Sequence, residues 1–134
     1  MLVHGSPLEV TGTPHLYELH LKAFQRAREL KLNVTIHAGE VGDDDSFVKM
    51  AVNDYGASRI GHGYRVVKNK STMELMKKKN IHFESCPTSS VETGGWNHME
   101  RGGYKDWEEH PAVTMIEHGL NVGFNSDDPA GEER

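Results

Sequence analysis

Thr35-Ile36-His37-Ala38-Gly39-Glu40-Val41-Gly42 sets the reading of the whole chain. The β-branched run Val34-Thr35-Ile36 predicts a short strand. It delivers His37, and two small residues then lead to Glu40. A strand that ends in a tight loop carrying an imidazole and a carboxylate offers one metal ligand and one proton-transfer group.

Outward from this stretch the chain alternates. Upstream, Met1 to Thr13 is rich in Gly, Pro, Ser and Thr and predicts a loop, not a strand. Thr13-Pro14 marks a helix start, and the spacing of Leu16, Leu19, His20, Ala23, Ala27 and Leu30 predicts a helix over 14–30. Downstream, Asp43-Asp44-Asp45-Ser46 offers N-cap oxygens for a helix with Phe47, Val48, Ala51, Val52 and Tyr55, stopped by Gly56. Arg59 to Tyr64 predicts a strand. Ser71 and Glu74 have capping-box spacing for a third helix that ends in Lys77-Lys78-Lys79. Ile81 to Glu84 predicts a strand that runs into Ser85-Cys86-Pro87-Thr88-Ser89-Ser90, followed by a glycine-rich loop over 93–104. His110 to Gly119 predicts a fourth helix and Asn121 to Phe124 a last strand.

Helix and strand thus alternate four times, which implies parallel β/α units. His37, His62, Cys86 and Asp127 all fall at or just past a predicted strand's C-terminal end. That is the end at which β/α barrels carry their chemistry. Four strands cannot close an eight-stranded barrel, so periodicity alone gives half a barrel or a small open α/β sheet.

Composition narrows the classes. With 134 residues the chain is one domain's worth. Hydrophobic residues make up 36% and mean hydropathy is −0.63. Fifteen basic against twenty acidic residues give −5, which argues against binding a nucleic-acid backbone. Cys86 is the sole cysteine, so neither an internal disulfide nor a cysteine-rich zinc site can form. No apolar run approaches the roughly 18 residues of a membrane span. The start lacks a basic segment followed by an apolar one, so a cytoplasmic location is expected.

Each candidate has a plain alternative. His37 can be a hydrogen-bonded strand-end histidine, and Glu40 a helix cap. The glycines beside His62 let a backbone approach something closely. Asp127-Asp128-Pro129 can be a turn. Cys86 before Pro87 reads as buried packing. The other histidines show no constellation and read as structural or surface residues. Together, however, His37, Glu40, His62 and Asp127 form one metal-and-acid/base set with donors that suit catalytic zinc.

The segments His37 to Gly42, Arg59 to Tyr64, Ser85 to Ser90, Thr93-Gly94-Gly95-Trp96 and Asn125 to Pro129 resemble the successive motifs of the adenosine deaminase family, in the metal-dependent amidohydrolase superfamily. The match runs from about Gly12 to Ala130, nearly the whole chain. The resemblance implies a TIM-type (β/α)8 barrel, of which residues 1–134 are the C-terminal half, about four β/α units. It implies one Zn2+ and hydrolysis of adenosine and 2′-deoxyadenosine to inosine and 2′-deoxyinosine, with release of ammonia. By motif, His37 and Asp127 resemble zinc ligands and Glu40 the general acid that protonates purine N1. His62 resembles the residue that orients and deprotonates the water attacking C6. Asp128 resembles the acceptor facing N7, and Gly39 lies near N3. Gly61 stands where adenine deaminases tend to carry Asp, which favours adenosine over adenine.

The family's first strand carries a His-x-His pair that supplies two further zinc ligands, and its final helix follows the Asp pair. Neither is in this sequence, and a partial catalytic domain is expected, inactive on its own. The alternative is a non-catalytic half-barrel that binds a partner, such as the complementary half.

Overall fold

The computed structural model describes residues 2–3, 14–92 and 107–127. Five parallel strands lie side by side in chain order: β1 (Leu2–Val3), β2 (Thr35–Ala38), β3 (Arg59–His62), β4 (His82–Ser85) and β5 (Asn121–Phe124). The crossovers carry α1 (Pro14–Glu29), α2 (Ser46–Asn53), α3 (Lys70–Lys78), α4 (Pro87–Glu92) and α5 (Pro111–Glu117). Short 3-10 turns stand at Tyr64–Lys68 and Trp107–Glu109. The α/β alternation read from the sequence is therefore present.

The sheet's two faces follow from the period of two along each strand. Ile36, Ala38, Ile60 and Phe83 point to one side and are buried. They pack with Phe24 and Ala27 of α1, Val48, Ala51 and Val52 of α2, Met73 and Met76 of α3, and Met115 of α5. Completely burying a side chain such as Phe83 contributes roughly 1.5–3 kcal/mol. Thr35, His37, Arg59, Gly61, His82 and Glu84 alternate with these residues and lie on the other side. There Arg59 pairs with Glu84, and His82 Nδ1 lies 2.9 Å from Asn121 Oδ1.

The elements differ from the expected ones in instructive places. Leu2–Val3 is a strand, not a loop: it pairs with Thr35 and Ile36 of β2. Two residues are too short to show a period, so only the neighbouring strand reveals it. His37 lies inside β2 and not just beyond it, because β2 stays paired with β3 through Ala38. Tyr64 leaves β3 and opens a 3-10 turn. Asn69 caps α3 in place of Ser71, its side chain accepting from the Ser71 N–H at 3.1 Å. The segment into which the strand runs is not uniform: Ser85 closes β4, and Pro87 opens a helical turn, α4. His110 stands outside α5 as its N-cap, Nδ1 accepting from the Ala112 N–H at 3.1 Å. Asp45 precedes α2 but does not cap it with its side chain. It instead receives a bond from the Thr72 hydroxyl and pairs with Lys49 at 3.4 Å. The Thr13 cap and the 93–104 loop lie outside the described residues.

Among the described residues the sheet is open. β1 and β5 each pair on one side only, and Phe124 of β5 is 64% exposed.

Candidate active site

Register brings the site together. In the β2–β3 ladder His37 is level with Gly61, and Ala38 with His62. Gly61 is there for space: a Cβ at this position would meet His37 Cδ2 at 2.6 Å. The side-chain gap at residue 61 is what lets the His37 ring lie against β3. Gly63 likewise has Phe83 at 2.3 Å from where a Cβ would stand. The close approach expected of these glycines is thus toward the His37 and Phe83 rings.

Beyond β2, the loop that carries Glu40 is tied to β3 and the turn after it. Gly63 N–H donates to Ala38 O at 3.1 Å and Arg65 N–H to Gly39 O at 3.0 Å. Arg65 Nε donates to Gly42 O at 2.5 Å. Beyond β5, Asn125 N–H donates to Ser85 O at 2.9 Å, which draws the Asp127 loop against the end of β4.

The result is a cluster around His62. Its Nε2 lies 3.3 Å from His37 Nδ1, 3.4 Å from Glu40 Oε2 and 3.8 Å from Asp127 Oδ2. The two imidazoles meet edge to face, centroids 4.9 Å apart. His62 is 1% exposed. Its φ is +64° and that of Asp127 is +63°, left-handed values that cost non-glycine residues of order 1–3 kcal/mol. The other two described non-glycine cases, Lys31 and Asn80, sit in turns after α1 and α3. Strain inside the cluster holds only where the surroundings over-determine it, which fits a site whose geometry matters more than local stability.

A cavity of about 270 Å³ opens beside the cluster, lined by His37, Gly61, His62, Glu84, Cys86, Asn125, Ser126 and Asp127. His37, His62 and Asp127 each turn one donor atom toward it, all within 4.8 Å of one another. These separations exceed good hydrogen bonds and suit donors placed around a common ion. Imidazole nitrogen and carboxylate oxygen are also donors that zinc takes, so the residues fit that metal.

The sequence-named residues His37, Glu40, His62 and Asp127 are all brought together, with Gly39 in the loop between two of them. Asp128 lies outside the described residues, as does the Thr93-Gly94-Gly95-Trp96 motif. Cys86 is a buried free thiol, the packing role expected, and the residue also lines the cavity.

Three residues had no assigned role from sequence. Ser89 Oγ donates to Asp127 Oδ2 at 2.7 Å. Ser90 Oγ lies 3.5 Å from His62 Nδ1 and 2.8 Å from the Tyr64 hydroxyl. That hydroxyl also accepts from the Cys86 N–H at 2.9 Å. Burial raises the Tyr64 pKa, partly offset by its bonds to Ser85, Ser90 and Cys86, so it stays a neutral phenol. His110, edge-on to Tyr64 at 4.8 Å, is lowered to about 4 by burial and is neutral at pH 7. Helical spacing from Pro87 was the available signal that Ser89 and Ser90 would turn inward.

This arrangement has known counterparts. The family model for adenosine deaminase matches residues 6–133. The adenosine deaminase of Aliivibrio fischeri is 36% identical over 115 residues, 86% of this chain and 32% of the relative. That of Escherichia coli is 35% identical over 111 residues, 83% and 31%. An adenine deaminase structure from Arthrobacter aurescens superposes with a TM-score of 0.70 at 31% identity, over 84% of this chain and 32% of that one. An amidohydrolase structure from Burkholderia ambifaria, with bound zinc, gives 0.71 at 33%, over 84% and 29%. The chain spans about a third of the length of the relatives it matches. With the motifs in register on the strand ends and the cluster assembled from them, the chain belongs to the adenosine deaminase family of amidohydrolases, as part of its α/β barrel.

Proposed function

We propose that these residues form the C-terminal part of the catalytic barrel of a zinc-dependent adenosine deaminase. The reaction would convert adenosine and 2′-deoxyadenosine to inosine and 2′-deoxyinosine with release of ammonia, a purine-salvage step in the cytoplasm. The observation that supports this reading is the convergence of His37, Glu40 and Asp127 on His62, beside a cavity that His37, His62 and Asp127 line. Relatives named adenosine deaminase support this substrate, although one solved neighbour is named adenine deaminase.

Zinc held by His37, Asp127 and donors outside this chain would act as a Lewis acid and make water acidic near neutral pH. Glu40 gives a proton to purine N1, which makes C6 electrophilic. His62 orients the water and takes its proton as the oxygen bonds to C6. That proton then passes to the amino group, the C6–N bond breaks and ammonia leaves, and the proton remaining on the C6 oxygen returns to Glu40 as the carbonyl forms. By the family motif, Asp128 is assigned as the acceptor for N7, and Gly39 would let the purine edge approach at N3. Gly61 keeps the His37 ring in place, and an Asp at that position would collide with it.

The open sheet supports a second element of the proposal, that the active form needs the remaining strands, in the same polypeptide or a partner. The 134-residue chain with zinc is expected to give no deamination of adenosine. Joined to strands that supply the missing ligands, it is expected to be active on adenosine and poor on adenine. Adenine turned over in preference would overturn the substrate assignment. Robust turnover by the chain alone would overturn the incompleteness.

A further inference from the structure

Glu40 lies between two glycines in the left-handed region, Gly39 at φ +70° and Gly42 at φ +90°. Glycine rotates more freely than other residues, so these two are the natural hinges of the loop. At Gly39 the packing is tight: a Cβ there would stand 2.7 Å from Val48 Cγ2. At Gly42 no described atom lies within 4 Å of where a Cβ would stand, and Val41 to Asp44 are exposed. Beyond Gly42 the chain is anchored. Lys68 Nζ donates to Asp43 O at 2.8 Å, the Ser46 N–H donates to Asp44 Oδ1 at 2.8 Å, and the Thr72 hydroxyl binds Asp45. A crankshaft turn of Glu40 and Val41 between the glycines would break none of these bonds. It would still carry the Glu40 carboxylate away from His62 Nε2, now 3.4 Å off. What opposes that turn is one residue. The Arg65 N–H donates to Gly39 O at 3.0 Å, and Arg65 Nε donates to Gly42 O at 2.5 Å.

We propose that Arg65, from the turn after β3, is the positioning residue for Glu40: it holds the carbonyls of both hinges and so fixes where the acid stands. The two bonds differ in what they need. Any residue but proline at 65 could make the main-chain bond. The side-chain bond needs a donor with the reach of Nε, and it closes the open hinge at Gly42. Arg65 also follows His62 by three residues. The acid is therefore held from the same strand and turn that supply the base, which sets the spacing of the pair by a short path. The kinetic consequence rests on the proposed role of Glu40 as acid, whereas the hold on the loop does not.

Two substitutions separate the donor from charge and bulk. Arg65→Met keeps the reach of the side chain without an N–H. Arg65→Gln has no charge but carries an amide N–H as many bonds from the backbone as Nε. Backbone 15N relaxation of the active form reads the loop. Glu40 and Val41 are expected at order parameters of about 0.85 in the unmodified protein and in Arg65→Gln, and below about 0.6 in Arg65→Met. With adenosine, Arg65→Met is expected to lower kcat about 10–100-fold with KM and the melting temperature little changed, and Arg65→Gln to recover most of that loss. An equally rigid loop in Arg65→Met overturns the proposal. So does a loosened loop with unchanged kcat, a change in KM alone, or an equal loss of kcat in Arg65→Gln. If Arg65→Met does not fold, Arg65→Gln decides: a loosened loop or a loss of kcat beyond about tenfold overturns the proposal. Failure of the unmodified active form to deaminate adenosine would overturn the deaminase reading instead, and the order parameters would still decide whether Arg65 holds the loop.

Discussion

The two faces of the sheet differ in what completes them. The helix side is finished by the chain itself: Ile60, Phe83, Met76 and Met115 are buried among residues of their own crossovers. The other side carries Arg59, His82, Glu84 and Asn121, whose polar groups pair with one another across strands. Arg59 keeps half its side chain exposed, and Phe124 stands at the open edge. The site lies at the C-terminal end of this second face. One side therefore holds the fold, and the other holds chemistry at modest cost to stability. Substitutions on the two sides should separate accordingly.

The largest contrast is at Glu40. In the active form, Glu40→Gln is expected to lower kcat by roughly 10²–10⁴ with zinc still bound and the melting temperature little changed. Near-normal activity would remove Glu40 as the acid. Phe83→Ala on the other face is expected to cost about 3–5 kcal/mol in denaturant unfolding. A cost below about 1 kcal/mol would mean that the helix side is not the stabilising one. Ser89→Ala, which deletes the donor to Asp127, is expected to weaken zinc binding about 10–100-fold by competition titration while stability changes little.

A pH measurement sharpens the comparison further. His110 is held to about 4 by burial on the packed side, below its ordinary 6.5. As pH falls from about 6.5 toward 4 the unfolded chain takes up this proton first, so stability is present above that window and lost within it. His110→Gln should flatten that loss in urea unfolding across the window. The smallest effect is expected at the exposed Arg59–Glu84 pair, where Arg59→Met should change stability by no more than about 1 kcal/mol.

The sequence was informative where periodicity or a motif spans several residues. Asn121–Phe124 and the helix from Pro14 follow directly from pattern. His37, Glu40, His62 and Asp127 could be named because each sits at or just beyond a strand end, where parallel strands converge. Leu2–Val3 was illegible because two residues have no period and take their conformation from β2. The roles of Ser89, Ser90 and Tyr64 were hidden for a related reason. A serine's partner is fixed by the direction of its helix, and here α4 carries Ser89 to Asp127 and Ser90 to Tyr64 and His62. What Gly61 makes room for was not legible: a missing side chain reveals no partner until the His37 ring is seen against it.

The central claim is that His37 and Asp127 ligate one zinc ion while His62 and Glu40 stand beside it as base and acid. Anomalous diffraction at the zinc edge from zinc-loaded crystals of the active form tests it most directly. The account predicts a single peak about 2.0–2.2 Å from a His37 nitrogen and an Asp127 oxygen, with Glu40 not bound to it. A peak elsewhere, or none at full zinc loading, would contradict it.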